Sequence, residues 1–474
     1  MIRLVGRKRE QSILEMCLAS PDPELLAVYG RQGVGKTYLI TNFFHNQFAF
    51  HATGVAQGKT KNQLRAFHER LRTYGCTYEK QPKDWFEAFS RVRELMENPH
   101  VHRDPVSGKR VVFLDEMPWM DTAKSDFRSA LEYFWNSWGS VQTDLLLIAC
   151  GSAVPWMMKH LLSDTGCLYR RGTRQMDMAP FTLRECETLF AHNQFDAPRK
   201  MQLECYMIFG GIPFYLNQLD RRMSLKQNVE ALCFHEEGSL RNEYQMLLQS
   251  LFRKPEKHRL ILEKLALHRN GLTRAELAGD GRIGTGEALT DALNELEQCG
   301  MIRKFSSITS EKQGHSFRII DPFTLFSCRF LQGSSVSSWR DHFQTPGYCA
   351  WCGDAFATVC LHHIPQIKQV LGISGVGSRE YSWRDKRNKS EAQIDLLIDR
   401  QDQVINLCDM VFTQEPFIVS EEYSCQLMHT LELFRKEAHT EKAIHLTLIS
   451  AEGISRNSYV EEIQNTITMD DLFT

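Results

Sequence analysis

The sequence predicts an α/β protein in several parts, and three observations predict it. First, short apolar runs at 25–30 (LLAVYG), 111–117 (VVFLDEM) and 144–152 (DLLLIACGS) alternate with helical stretches as far as about residue 220. Such runs are the strands of a parallel sheet covered on both faces. Second, residues 256–308 read as helix, turn, helix, turn and a longer helix. Third, from about residue 340 another α/β pattern begins. It has a helix at about 354–371, strands near 377–384, 393–399 and 403–412, a helix at about 421–437 and a strand at 443–450. The expected divisions are 1–220, 221–330 and 340–474, in keeping with roughly 150 residues per domain.

Composition narrows the class. Of 474 residues, 42% are hydrophobic and 24% charged, enough to bury several cores. The net charge of -2 gives the whole molecule no basic field, so any nucleic-acid surface must be local. No apolar run reaches the roughly 18 residues that span a bilayer, and MIRLVGRKRE lacks the apolar centre of a signal peptide. The fourteen cysteines are irregularly spaced, as expected of reduced thiols in a cytoplasmic protein.

The first part carries the most specific motif. GRQGVGKT (30–37) fills every position of the P-loop pattern, after an apolar strand and before a helix. The backbone N–H groups of Gly30, Gly33, Val34 and Gly35 are expected to turn toward phosphate, helped by the positive end of the helix. Lys36 is expected to reach the β- and γ-phosphates, and the Thr37 hydroxyl to ligate magnesium. The strand VVFLDE (111–116) ends in two acids. Asp115 is expected to hold magnesium, and Glu116 to orient and deprotonate the attacking water. Ser152, ending the strand 144–152, is read two ways, as a γ-phosphate sensor or as an ordinary helix cap. Arg170, Arg171 and Arg174 supply candidates for offsetting transition-state charge, Arg171 first, or are solvated surface groups. The expected cofactors are ATP and Mg2+.

LVGRKRE, the P-loop, FLDE, APFTLRE and GGIPFYL, in that order, resemble the archaeal/bacterial family of P-loop ATPases related to AAA+ and STAND proteins. The resemblance implies that Gly6 and Arg7 lie near the adenine. It also implies that the turn at Gly211 and Pro213 links nucleotide state to a helical lid, and it extends over HEEGSLRNEYQMLLQSLF and IIDPFTLF. The expected architecture is a P-loop NTPase parallel sheet with helical lid, a winged helix, then an α/β restriction-endonuclease-like domain. DAFATVCLHHIPQIKQVLGISGV, AQIDLLIDR and MDDLFT carry the likeness of the last part.

Restriction-type nucleases usually pair a helix glutamate with a strand aspartate and an acid-x-lysine on the next strand. Asp395 and Asp409 take the two acid positions as metal ligands of a vestigial site. Val411 stands at the lysine, and Ala357 at the helix glutamate. Losing one such electrostatic group costs about two to three orders of magnitude in rate. The expectation is a retained fold with an impaired site; Lys368, Lys386 and Lys389 are the lysines that could compensate.

Three other patterns are weaker. CAWC (349–352) with Cys360, His362 and His363 permits a zinc reading or, more plainly, buried thiols. The longest helix of 256–308 places Ala288, Leu289, Ala292, Leu293 and Leu296 on one face, and Glu287, Asp291, Glu295 and Glu297 elsewhere. It has no lysine or arginine, so phosphate repels it. WRDKRNKS (383–390) is either a backbone-tracking strip or a solvated loop. The expected function is an ATP-hydrolysing switch whose nucleotide state governs the C-terminal parts. Expected partners are ATP, DNA or a protein at those parts, and a second copy of the chain. The alternatives are an ATP-controlled nuclease acting as a defence effector, and an ATP-dependent transcription regulator.

Overall fold

The computed structural model describes residues 4–163, 174–252, 254–306, 308, 315–332, 338–385 and 392–474. It groups into two compact units, Met1–Pro180 and Phe181–Thr474.

The first unit is a mixed α/β layer structure on a five-stranded parallel sheet. Its strands are β1 (Glu24–Tyr29), β2 (Phe50–Thr53), β3 (Arg110–Asp115), β4 (Leu145–Gly151) and β5 (Arg174–Asp177), in the order β2-β3-β4-β1-β5. β3 and β4 are buried along their whole length, as strands covered on both faces should be. The helix Trp85–Glu97 begins on Asp84, whose side chain accepts from the Glu87 backbone N–H. That helix, Thr60–Thr73 and Phe127–Ser137 pack their rings together: Phe67, Trp85, Phe89, Phe127 and Phe134 form a cluster of edge-to-face, tilted and stacked contacts. The order inserts β4 between β1 and β3. The end of β4 is therefore between the loop after β1 and the acids after β3.

The second unit begins at Phe181, so the expected division 1–220 crosses the boundary. Packing gives the reason: the helix Arg199–Phe209 lies on Pro322–Phe330 and Pro346–His362, helices of the same unit. Two capping boxes, at Thr182/Glu185 and Ser224/Gln227, start the early helices. At the turn GGIP (210–213), a Cβ on Gly211 would stand 1.9 Å from the Phe181 carbonyl oxygen, so only glycine fits. The Phe181 N–H donates to the Gly211 carbonyl at 2.6 Å.

Next come the helices Glu256–Ala266, Arg274–Ala278 and Glu287–Gln298 with a small antiparallel sheet. Its strands are β6 (Leu272–Thr273), β7 (Ile302–Phe305) and β8 (Ser316–Ile319), ordered β6-β8-β7. Leu289, Ala292, Leu293 and Leu296 are buried as expected; Ala288 is exposed, one position off the buried stripe.

The last sheet has β9 (Ser378–Arg384), β10 (Gln393–Arg400), β11 (Val404–Val411), β13 (Ala443–Ser450) and β15 (Asn465–Thr468), after β12 (Phe417–Ile418) and β14 (Ile454–Ser455) are set aside as a separate pair. β9, β10 and β11 run antiparallel in sequence order, and β11, β13 and β15 run parallel. The predicted helix at 354–371 is two: Pro346–His362, and Ile364–Val370 with Pro365 in its first turn. Proline is tolerated in a first turn and not in a helix interior, which is why the pattern breaks there. Among the described residues no helix is long and apolar enough to cross a membrane.

Candidate functional site

The glycine loop connects β1 to the helix Lys36–Phe43. Gly30, Gly33 and Gly35 have φ of 150°, 84° and 94°. Gly35 is the residue before the helix, and nothing lies within 4 Å of a Cβ built on it. Its glycine is therefore demanded by the left-handed backbone and not by crowding. The result is a turn whose N–H groups are presented at the positive end of a helix, an arrangement suited to anions.

Lys36 is buried, and its Nζ donates to the Gly30 and Arg31 carbonyl oxygens at 2.9 and 3.1 Å. Burial pulls its pKa down, while the nearby Cys150, Glu116 and Asp115 push it up. The exposed Thr37 donates its hydroxyl to Asp115 Oδ2 at 2.9 Å. Asp115 is 3% exposed; burial lifts its carboxyl above the ordinary range, against the Thr37 bond. A hydroxyl and a carboxylate in contact beside the loop are the hard oxygen donors that magnesium selects.

Glu116 follows with a left-handed backbone, φ 45°, unusual for a glutamate. Its Oε1 accepts from Ser152 Oγ at 2.6 Å, and the Ser152 N–H points to Oε2 at 3.4 Å. The Ser152 side chain caps no helix; it holds Glu116. Gly6 and Arg7 lie before the first helix, both with positive φ. Arg7 is 5% exposed and braces the loop. Its Nη2 donates to the Val34 carbonyl at 2.8 Å and its Nη1 to Ala179 at 2.7 Å. Arg174 pairs with Glu24 at 3.3 Å. Arg170 and Arg171 lie outside the described residues. Pro213 opens the four-residue helix Pro213–Leu216 of the second unit.

The second unit holds a carboxylate centre. The β10/β11 register pairs Leu396 with Cys408, so one step further sets Asp395 opposite Asp409 on one face. Asp395 is 4% exposed and is bound by two arginines from the preceding part of the chain. Arg269 Nη2 donates to Oδ2 at 2.8 Å, and Arg318 Nη1 stands 3.1 Å from Oδ1. Burial pushes this carboxyl up, but Arg318 and Arg269 outweigh it and hold it below the ordinary range. Asp409 accepts from the Tyr423 hydroxyl of the helix Glu421–Ala438. Its carboxyl is raised, by burial and then by the charge on Asp395.

A third acid, Asp354, was not anticipated. It lies on Pro346–His362, one helical turn before Ala357, and pairs with Arg329 at 3.0 Å and with Arg269 at 3.8 Å. A cavity of about 610 Å³ opens beside Arg269, Asp409, Val411 and Tyr423. Lys368 pairs with Glu380, while Lys386 and Lys389 lie outside the described residues.

The zinc reading does not assemble. Cys349 is exposed while Cys352 and Cys360 are buried. His363 donates from Nδ1 to the Val359 carbonyl and accepts at Nε2 from the Leu183 N–H, and His362 Nε2 donates to the Ile320 carbonyl. Both rings are engaged with backbone groups.

No family model matches the chain. One curated protein, "Uncharacterized protein MJECL04" of Methanocaldococcus jannaschii, is 22% identical over 334 residues, covering 69% of this chain and 68% of that protein. Among solved structures, the Walker-type ATPase PABY2304 of Pyrococcus abyssi is 18% identical over 69% of this chain and 96% of its own, with a TM-score of 0.45. The signal transduction ATPase with a tetratricopeptide repeat sensor, PH0952 from Pyrococcus horikoshii, is 16% identical over 79% of this chain and 52% of its own, at 0.30. Cdc6p from Pyrobaculum aerophilum is 14% identical over 69% of this chain and 94% of its own, at 0.34.

Proposed function

We propose that the first unit binds and hydrolyses ATP, and that its nucleotide state governs how the second unit is presented. The observation carrying the reading is the contact between Thr37 and Asp115 beside the glycine loop, with Lys36 and Glu116 on either side. In this reading Lys36 leaves the carbonyls of Gly30 and Arg31 for the phosphates. Thr37 and Asp115 would hold magnesium, which when bound offsets phosphate charge. Glu116 takes the proton of the attacking water once Ser152 releases it. Arg171 supplies a positive charge to the transferring phosphoryl group, and Gly6 and Arg7 border the adenine. The turn at Gly211 and Pro213 passes the change to the helices that follow.

The second unit reads as a lid, a winged helix and a restriction-endonuclease-like domain that no longer cuts. Three features support the last point: Val411 in place of lysine, Asp409 held by Tyr423, and Asp395 paired twice with arginine. Its output is then binding, to DNA or to a protein. The acidic helix Glu287–Gln298 argues against groove insertion, and so against a transcription regulator.

ATP turnover by wild type and Glu116→Gln, with plasmid DNA scored for strand breaks in the same tubes, tests both halves. The reading expects turnover to fall at least 100-fold in the variant, with intact DNA throughout. Unchanged turnover in Glu116→Gln refutes the assigned base. Strand breaks that Asp395→Ala abolishes would favour the effector nuclease.

A further inference from the structure

The likeness of the last sheet to restriction-type nucleases implies a divalent metal between Asp395 and Asp409, and the donor set does not fit one. A metal site needs carboxylate oxygens free to converge on one point. Both oxygens of Asp395 are instead taken by guanidinium groups, at 2.8 and 3.1 Å. One oxygen of Asp409 accepts from Tyr423 Oη and the other from the Met410 N–H at 3.1 Å. Asp354 faces Arg329 and Arg269. Among the described residues no three carboxylate, histidine or cysteine side chains are grouped to hold a metal ion.

The charges already balance. Three carboxylates, Asp354, Asp395 and Asp409, meet three guanidinium groups, Arg269, Arg318 and Arg329. A divalent cation would leave two uncompensated positive charges in a largely buried place, which is costly unless an arginine leaves. Arg318 is 5% exposed and its Nη1 also lies 3.4 Å from the Asp395 carbonyl, so it is held in place from two sides of the same residue. Arg269 sits in the turn after the helix Glu256–Ala266 and reaches the Met410 carbonyl of β11 at 3.3 Å as well.

We infer that Arg269 and Arg318 are the resident cations of this centre: they stand in for the divalent metal, exclude it, and tie the 256–319 helices and strands to the sheet as a metal-free ionic latch. Planar guanidinium forks suit this task because each presents several fixed donors to carboxylates on different elements. The inference rests on the nuclease-like reading only for its comparison. Contact between the second unit and a nucleic acid would then need no divalent ion.

The test is Mn2+ binding to the full chain without nucleotide, followed through the EPR signal of the free ion, for wild type, Asp409→Asn and Asp395→Asn. Thermal unfolding of Arg269→Gln and Arg269→Lys, each with and without Mn2+, accompanies it. We expect the same Mn2+ binding in wild type and both aspartate variants. We expect Arg269→Gln to lower Tm by roughly 5 to 10 °C whether or not Mn2+ is present, and Arg269→Lys to recover part of it. Mn2+ binding lost in either aspartate variant would overturn the inference, as would a Tm of Arg269→Gln equal to that of wild type without Mn2+. If the Gln or Asp395 variant fails to fold, the wild-type and Asp409→Asn titrations decide alone. Failure of the nuclease-like reading would show instead as a crystal structure in which the last sheet has a different strand order, leaving the Mn2+ result untouched.

Discussion

Two side chains in this protein are held by partners that their expected roles do not require. Glu116 is held by Ser152, whose hydroxyl donates to Oε1 at 2.6 Å, so proton transfer to that oxygen must break the bond. One such hydrogen bond is worth about 1 kcal/mol, or roughly fivefold in rate. Ser152→Ala is therefore predicted to raise basal ATP turnover a few-fold at unchanged KM. A tenfold loss would return Ser152 to the role of phosphate sensor. His363 is fully buried, accepts at Nε2 and donates at Nδ1, and can do both only as a neutral ring. Burial lowers its pKa from 6.5 to about 4. The folded state thus resists a proton that the unfolded chain accepts. The associated stability is complete above pH 6.5 and is lost as the pH falls toward 4, amounting to about 3 kcal/mol. Urea unfolding of wild type and His363→Asn between pH 7 and 4 checks this; the variant's stability is expected to change less with pH over that window. At this scale the sequence showed Lys36, Thr37, Asp115, Glu116 and Ser152 by motif and strand end. It could not show Arg269 or Arg318, because their partner is 126 residues away from the first and 77 from the second. Asp354 carried a faint signal: an acid one turn from Ala357, on the same helix face.

Elements were legible where local chemistry decides them. Apolar runs found β1, β3 and β4, and two apolar runs joined by a polar turn found β10 and β11. β2 (FHAT) and β5 (RQMD) were missed because each has four residues and lies at a sheet edge, where no apolar run is needed. Proline at 365 divided a helix that apolar spacing alone joined. Two glycines separate two reasons for the same residue. Gly211 has no room: a methyl group there meets the Phe181 backbone at 1.9 Å. Gly211→Ala is predicted to destabilise the second unit by at least about 2 kcal/mol, as overpacking against rigid backbone does. Gly35 has room but a left-handed backbone. Gly35→Ala is predicted to cost about 1 kcal/mol in stability and to act mainly on nucleotide affinity. Thermal unfolding of both variants, with an ATP titration of the second, distinguishes them; equal losses would show that crowding and backbone strain were wrongly separated.

For the whole molecule, patterning gave the α/β class, while the grouping into units depended on long-range packing. Residues 181–220 read as the end of a first part that also holds the start of a helical lid, yet the helix Arg199–Phe209 packs on helices more than a hundred residues later. No local signal carries that. The first unit is built around the glycine loop after β1, and in the second the carboxylates of Asp354 and Asp395 are paired with arginine. The claim on which the rest depends is that the glycine loop grips triphosphate through Lys36. Equilibrium titration of wild type and Lys36→Ala with ATP and Mg2+ tests it most directly. The account predicts saturable binding by wild type and affinity weakened about 100-fold in the variant, the loss of one strong charge-assisted contact. Equal affinity in the two proteins, or no binding by wild type, would contradict it.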